Sequence, residues 1–220
     1  VWSVSTDLDE VENSIERQLD RLMTKLKADD YIVCFSADGP KFRDDLFPDY
    51  KASRAASKKP TGFKAIVQYI RDNHKTLTKP RLEADDVMGI MATRPSYKER
   101  IIVSIDKDMK TIPGLLFNPK KDKEPQMIDE VTADYWHMYQ TLVGDTVDGY
   151  SGCPGIGPKR ADTVLCQARP TKSMWPLVLA AFEKAGLTEQ EALLQARLAR
   201  ILRADDYDYK KKEPILWNPM

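Results

Sequence analysis

Two short β-rich runs each give out into carboxylates, and helix-patterned segments separate them. The first, YIVCFS at 31–36, leads into Asp38-Gly39-Pro40, a stop signal; the second, RIIVSI at 100–105, leads into Asp106 and Asp108. Ahead of the first run, Leu8, Val11, Ile15, Leu19, Leu22 and Leu26 keep helical spacing, and Thr6 with Asp9 resembles a capping box. Phe63 to Arg71 reads as a helix, and Glu83-Ala84-Asp85-Asp86 opens another through Val87, Ile90 and Met91. LLF at 115–117 is a third short strand. The remainder is mostly helical: TADYWHMYQTLV, a hairpin at 144–161, and two later segments, the last covering Gln190 to Leu202. Strands alternating with helices predict an α/β fold, a parallel-rich central sheet flanked by helices, with a helical lobe after it. With no internal repeat and no low-complexity linker, one integrated domain is expected.

Ligands of open α/β sheets bind outside the carboxyl ends of the strands. Asp38, Asp106 and Asp108 are delivered there. Glu83, Asp85 and Asp86 sit at a helix N-terminus, where the dipole favours negative charge. Alone, that group reads as an ordinary helix start. Asp145 and Asp148, three apart, share a face if they lie on a helical turn, although Asp-Gly also forms plain turns. Together these are eight carboxylates at the ends of different elements. Unpaired, such a set repels itself, and divalent cations are its natural compensation. All-oxygen ligation with no Cys or His adjoining points to Mg²⁺ or Mn²⁺. His74 and His137 are the two histidines, and neither adjoins these residues, so metal-activated water is expected in place of a histidine base.

Residues 144–161, GDTVDGYSGCPGIGPKRA, set two of these aspartates against a glycine turn followed by cations. GIGPKRA matches the helix-hairpin-helix pattern. Gly155 and Gly157 let the backbone approach a phosphate, Pro158 suits a first helical turn, and Lys159 and Arg160 add charge. Such contacts position duplex DNA without reading its sequence. An ordinary glycine-rich turn is the alternative for Gly-x-Gly by itself.

Net charge is zero, 34 basic residues against 34 acidic, so there is no global nucleic-acid signature. The distribution is uneven: KASRAASKKPTGFK, 51–64, holds no acidic residue. Three cysteines without zinc-type spacing fit free thiols in a reducing, cytoplasmic setting, and no apolar run is long enough for a bilayer. No signal peptide is expected.

Four blocks in order, FSADGPKFRDDLFPDYKASR, LEADDVMGI, VSIDKDMKTI and GDTVDGYSGCPGIGPKRA, resemble the 5′-nuclease superfamily of flap endonucleases and 5′→3′ exonucleases. The closing ARILRADDYDY and ILWNP are similar to its short-tailed bacteriophage branch. The resemblance implies a PIN-like 5′-nuclease fold. A catalytic core at 1–142 would carry an arch at about 48–75, and a helix-hairpin-helix (helix-3-turn-helix) region would span 143–220. It implies a first metal cluster of Asp38, Glu83, Asp85 and Asp86 and a second of Asp106, Asp108, Asp145 and Asp148, with Asp106 central to catalysis. Lys51 and Arg54 match the basic pair at the base of the arch, which steers the scissile phosphate, and Arg43 joins them as a DNA contact. K⁺ at the hairpin is a further implication.

Two departures stand out. Gly149-Tyr150 replaces a common Asn-Ile. The family also begins with a strand ending in Asp-Gly, whereas this chain begins at Val1, so an incomplete first metal cluster and a missing central strand are expected. The function implied is a two-metal 5′→3′ exodeoxyribonuclease acting at flaps and nicks, leaving 5′-phosphates, in the cytoplasm, the host's if phage-encoded. Its partners would be double-stranded DNA with 5′ ends, and RNA–DNA hybrid if it removes primers. The alternatives are a non-catalytic DNA-structure-binding protein and, more distantly, a metal-dependent RNase on a similar sheet.

Overall fold

The computed structural model describes residues 7–53, 61–96, 98–168 and 174–219. Helix α1 (Leu8–Leu26) starts where the Asp7 side chain accepts from the Asp9 N–H, and it ends at Lys27 in the left-handed region, φ 50°. Asp7 is therefore the cap; Thr6 lies outside the described residues.

Strand β1 (Val33–Phe35) pairs in parallel with β2 (Thr76–Thr78), Val33 opposite Thr76. Short helix α2 (Phe42–Leu46) and helix α3 (Phe63–Asn73) lie between them in sequence. Helix α4 (Ala84–Thr93) packs against both strands and also against β3 (Ile101–Val103). Strand β3 runs parallel to β4 (Gly114–Phe117), and β5 (Gln126–Ile128) is antiparallel to β4. The expected parallel pairing holds inside each group, and β5 makes the second group mixed. Among the described residues the hydrogen bonding of β1 to β5 gives two separate sheets bridged by α4, not one continuous sheet.

Four helices make the lobe: α5 (Glu130–Val143), α6 (Pro158–Leu165), α7 (Trp175–Lys184) and α8 (Glu189–Ala199). Leu142, Leu165, Val178, Phe182 and Ala196 close its core. A capping box, Thr188 with Glu191, starts α8. The helix stops at Ala199, short of the expected Leu202. The buried Arg43 guanidinium takes the carbonyls of Leu198 and Arg200, and the Leu202 N–H turns to Asp86. A two-residue hairpin, β6 (Tyr207–Asp208) with β7 (Glu213–Pro214), follows and packs Tyr207 beside Leu82, Val87 and Ile90.

Candidate active site

The carboxylates converge through three local devices. Glu83 is the N-cap of α4, its side chain and that of Asp86 forming a reciprocal cap, which presents Asp85 in the first turn. Asp106 caps a single 3₁₀ turn at 107–111 that follows β3, accepting from the Asp108 N–H at 2.9 Å. Asp145 and Tyr150 bridge a tight turn, in which Asp145 Oδ1 accepts from the amides of Val147 and Asp148. Asp145 and Asp148 are thus brought together by this turn and not by a helix. The turn closes because Gly144 (φ 73°) and Gly152 (φ 65°) meet backbone to backbone. A Cβ on Gly152 would come within 2.4 Å of Gly144 N and 2.5 Å of Leu142 O, so neither position accepts a side chain.

Glu83, Asp85, Asp106, Asp108, Asp145 and Asp148 line one cavity. Lys51 reaches across it: its Nζ donates to Glu83 Oε1 at 2.5 Å and lies 3.4 Å from Asp148 Oδ2, while its own N–H donates to Asp148 O at 2.8 Å. Tyr50 bridges the same two carboxylates, donating to Glu83 Oε2 at 3.0 Å and to Asp148 Oδ2 at 3.4 Å. Gln140, from α5, donates to Asp108 Oδ1. Sequence reasoning missed Tyr50 and Gln140, because only tertiary packing aims them here; adjacency of Tyr50 to Lys51 was the sole available hint.

The electrostatics divide the cluster. Burial would raise the Glu83 carboxyl, but Arg43 and Lys51 outweigh it and hold the group below its ordinary range. Asp85 is pushed up to about 6 by burial, then by repulsion from Asp106, Glu83 and Asp86. Asp108 is likewise pushed up to about 6, by burial first and then by Asp106. One flank of the cavity is therefore neutralised by protein cations, and the other carries excess negative charge.

Three expected site residues lie elsewhere. The Asp38 side chain is 97% exposed, 3.9 Å from Arg71. Ser36, directly after β1, takes the place near α4 and accepts from the Ala84 N–H at 3.0 Å. Asp38 is past the turn and faces solvent. Asp86 is fully buried in a two-pronged ion pair with Arg43, 2.7 and 2.8 Å, and also accepts from the amides of Leu202 and Glu83. All four of these bonds come from groups of the chain itself. Arg43, expected to touch DNA, is 2% exposed and spends its guanidinium on Asp86, Glu83 and two backbone carbonyls. Arg54 lies outside the described residues. His137 is buried, its Nε2 2.8 Å from Ala196 O and its ring edge-on to Trp217, away from the carboxylates.

At the hairpin, Gly157 is the N-cap of α6 with Pro158 at the first helical position. A Cβ on Gly157 would meet no atom of the described residues within 4 Å, so none of them fills the space at that position. Arg160 Nη1 donates back to Gly155 O at 2.7 Å, while Lys159 is exposed.

Residues 11–127 match the family model described as the 5′-3′ exonuclease N-terminal resolvase-like domain. The chain belongs to the 5′-3′ exonuclease family. The exodeoxyribonuclease of Enterobacteria phage T3 is 35% identical over 86% of this chain and 73% of its own length. The exonuclease of Escherichia phage T7 is 34% identical over 86% and 74%. Among solved structures, the bacteriophage T5 flap endonuclease in a complex with DNA and metal ions superposes with a TM-score of 0.63. It covers 85% of this chain and 79% of its own at 16% identity, which establishes the shared 5′-nuclease fold. Another T5 5′-exonuclease structure holds zinc ions. The resemblance read from the four sequence blocks thus holds, and the chain is a member of a family of nucleases. No helix among the described residues of this exonuclease-family chain is long and apolar enough to cross a membrane.

Proposed function

We propose that this chain is a divalent-metal-dependent 5′→3′ exodeoxyribonuclease that acts at nicks and flaps and leaves 5′-phosphate products. Six carboxylates from three separate segments lining one cavity, with a lysine reaching across them, carry this reading. The donor set fits Mg²⁺ or Mn²⁺: it is all oxygen, and burial first, then repulsion from neighbouring carboxylates, raises Asp85 and Asp108, which a bound cation would offset. Among the described residues no three Asp, Glu, His or Cys side chains are close enough together to hold an ion as they stand, so ion binding is expected to draw them inward. Glu83 and Asp85 would hold one ion, and Asp106, Asp108, Asp145 and Asp148 the other. Bound there, the two metals supply an activated water and charge stabilisation at the leaving oxygen.

The protein's own groups do the positioning. Lys51 sits on the cavity wall, where it can turn from Glu83 to the scissile phosphate and offset developing charge. Tyr50 and Gln140 fix the carboxylates they touch. Arg54 belongs with Lys51 in this proposal, at the base of an arch over 48–75. The α6 N-terminus, with Gly155, Gly157 and Lys159, would hold the backbone of downstream duplex DNA, with K⁺ as an optional aid, and Arg160 would keep the hairpin in shape. Catalysis is assigned to residues 1–142 and duplex binding to 143–220, acting in the cytoplasm. RNA paired to DNA is a further substrate of the same class.

The spacing of the carboxylates favours one second reading, a DNA-structure-binding protein without chemistry. Cleavage of an end-labelled nicked or 5′-flap duplex separates the two. Cutting that needs Mg²⁺ and is lost in Asp106→Ala supports the nuclease; salt-sensitive binding with intact DNA in Mg²⁺ and Mn²⁺ supports the binder.

A further inference from the structure

Away from the carboxylate cavity, beside the hairpin of β6 and β7, three cations gather around two tyrosines. Lys79 Nζ lies 4.3 Å from the centre of the Tyr207 ring and 5.4 Å from that of Tyr209. Arg94, just past the end of α4, lies 5.5 Å from the Tyr209 ring. The two rings meet edge to face at 5.1 Å, with Tyr207 buried and Tyr209 43% exposed. Lys212, in the hairpin turn, is close enough to add to the local field.

Among the described residues Lys79, Arg94 and Lys212 make no salt bridge with a carboxylate. Asp208, the adjacent acid, is bound into the turn, its Oδ1 accepting from the amides of Lys210 and Lys211 at 2.8 and 3.0 Å. Lys79 is half-buried, and its pKa is lowered by that burial, then by Arg94 and Lys212. Partial desolvation of an unpaired ammonium beside two like charges is unfavourable, and an incoming anion relieves it. The tyrosines offset part of the cost through cation–π contact, and Tyr209 stays 43% exposed.

We infer that Lys79, Arg94, Lys212 and Tyr209 form a second nucleic-acid contact, distinct from the cavity and the helix hairpin, that takes a single strand. The cations hold successive backbone phosphates, and an unpaired base stacks on Tyr209. An exposed aromatic beside a basic groove is the general arrangement for unpaired strands, since every base has a stacking face. A blunt duplex offers no free base to this ring.

The test is fluorescence anisotropy of the intact chain with a labelled single-stranded oligonucleotide and with a blunt duplex, in EDTA so that nothing is cut. Arg94→Gln/Lys212→Gln and Tyr209→Ala should each weaken single-strand binding about tenfold and leave duplex binding unchanged. Tyr209→Phe should bind as the parent does. Loss of two phosphate contacts should flatten the logarithmic salt dependence by about 1.4. Single-strand affinity and salt slope unchanged in R94Q/K212Q, with its Tm equal to the parent's, would overturn the inference. So would an anion-only site: inorganic phosphate raising the Tm of the parent but not of R94Q/K212Q, with oligonucleotide binding unaltered. Because no step here requires metal or cleavage, failure of the nuclease assignment would leave this result standing.

Discussion

Arg43 and Asp86 face each other in a buried two-pronged ion pair, Nη1 to Oδ2 at 2.7 Å and Nη2 to Oδ1 at 2.8 Å. The same guanidinium reaches Glu83 at 3.0 Å and the carbonyls that end α8. One side chain therefore ties α2, the start of α4 and the end of the helical lobe together.

Arg43→Ala strands the Asp86 carboxylate away from water, and a loss of about 3–5 kcal/mol of unfolding free energy is expected. Urea denaturation measures it. The double variant Arg43→Met/Asp86→Leu should lose clearly less than the sum of the two single variants, because it removes both charges at once. Equal additivity would show that the pair is not coupled.

Lys51→Ala should lower kcat on a 5′-flap duplex roughly 10²-fold, the usual cost of one charge-stabilising donor. Thermal stability should change little, since Glu83 keeps Arg43 as a partner. DNA affinity in EDTA should also hold, which separates a chemical role from a binding one.

Asp85→Asn removes a half-buried carboxylate that its neighbours repel. In EDTA this variant should be more stable than the parent by on the order of 1 kcal/mol. With Mg²⁺ at a hundred times its Kd, the parent should gain about 2.7 kcal/mol of apparent stability, and D85N should gain far less. Thermal melts with and without Mg²⁺ give both numbers.

His137 is buried next to Arg200, and burial first, then that cation, holds its pKa well below the ordinary 6.5. The unfolded chain therefore takes the proton first as pH falls. The contribution is fully present above about pH 6.5 and is lost below it, at up to about 1.4 kcal/mol per pH unit. Asp85 and Asp108, raised to about 6, act in the opposite direction between their unfolded range and pH 6. The parent should thus be compared with His137→Gln by denaturation at pH 5 and pH 8. The variant should lack the extra loss on the acid side.

Helix starts were legible because capping is local. Glu83-Ala84-Asp85-Asp86 contains both halves of the reciprocal cap that opens α4, and Pro158 after Gly157 marks the start of α6. The strands β2 and β5 were not legible: TLT and QMI are three residues each, held by partners distant in sequence, and a run that short has no period of its own. The end of α8 was misread for a similar reason. Helical spacing continues to Leu202, and it is Arg43, 155 residues away from Leu198, that takes the carbonyls there.

The sequence by itself determined which residue types were available: carboxylates at the ends of strands and helices, a glycine hairpin with cations after it, and the family those blocks identify. Only the tertiary structure decided which carboxylates share a cavity. Asp85 and Asp86 are neighbours in one helical turn, about 100° apart around its axis. One lines the site and the other is sealed in the core against Arg43. Local spacing sets the angle between two such side chains, but how the helix sits on its neighbours sets what each one meets.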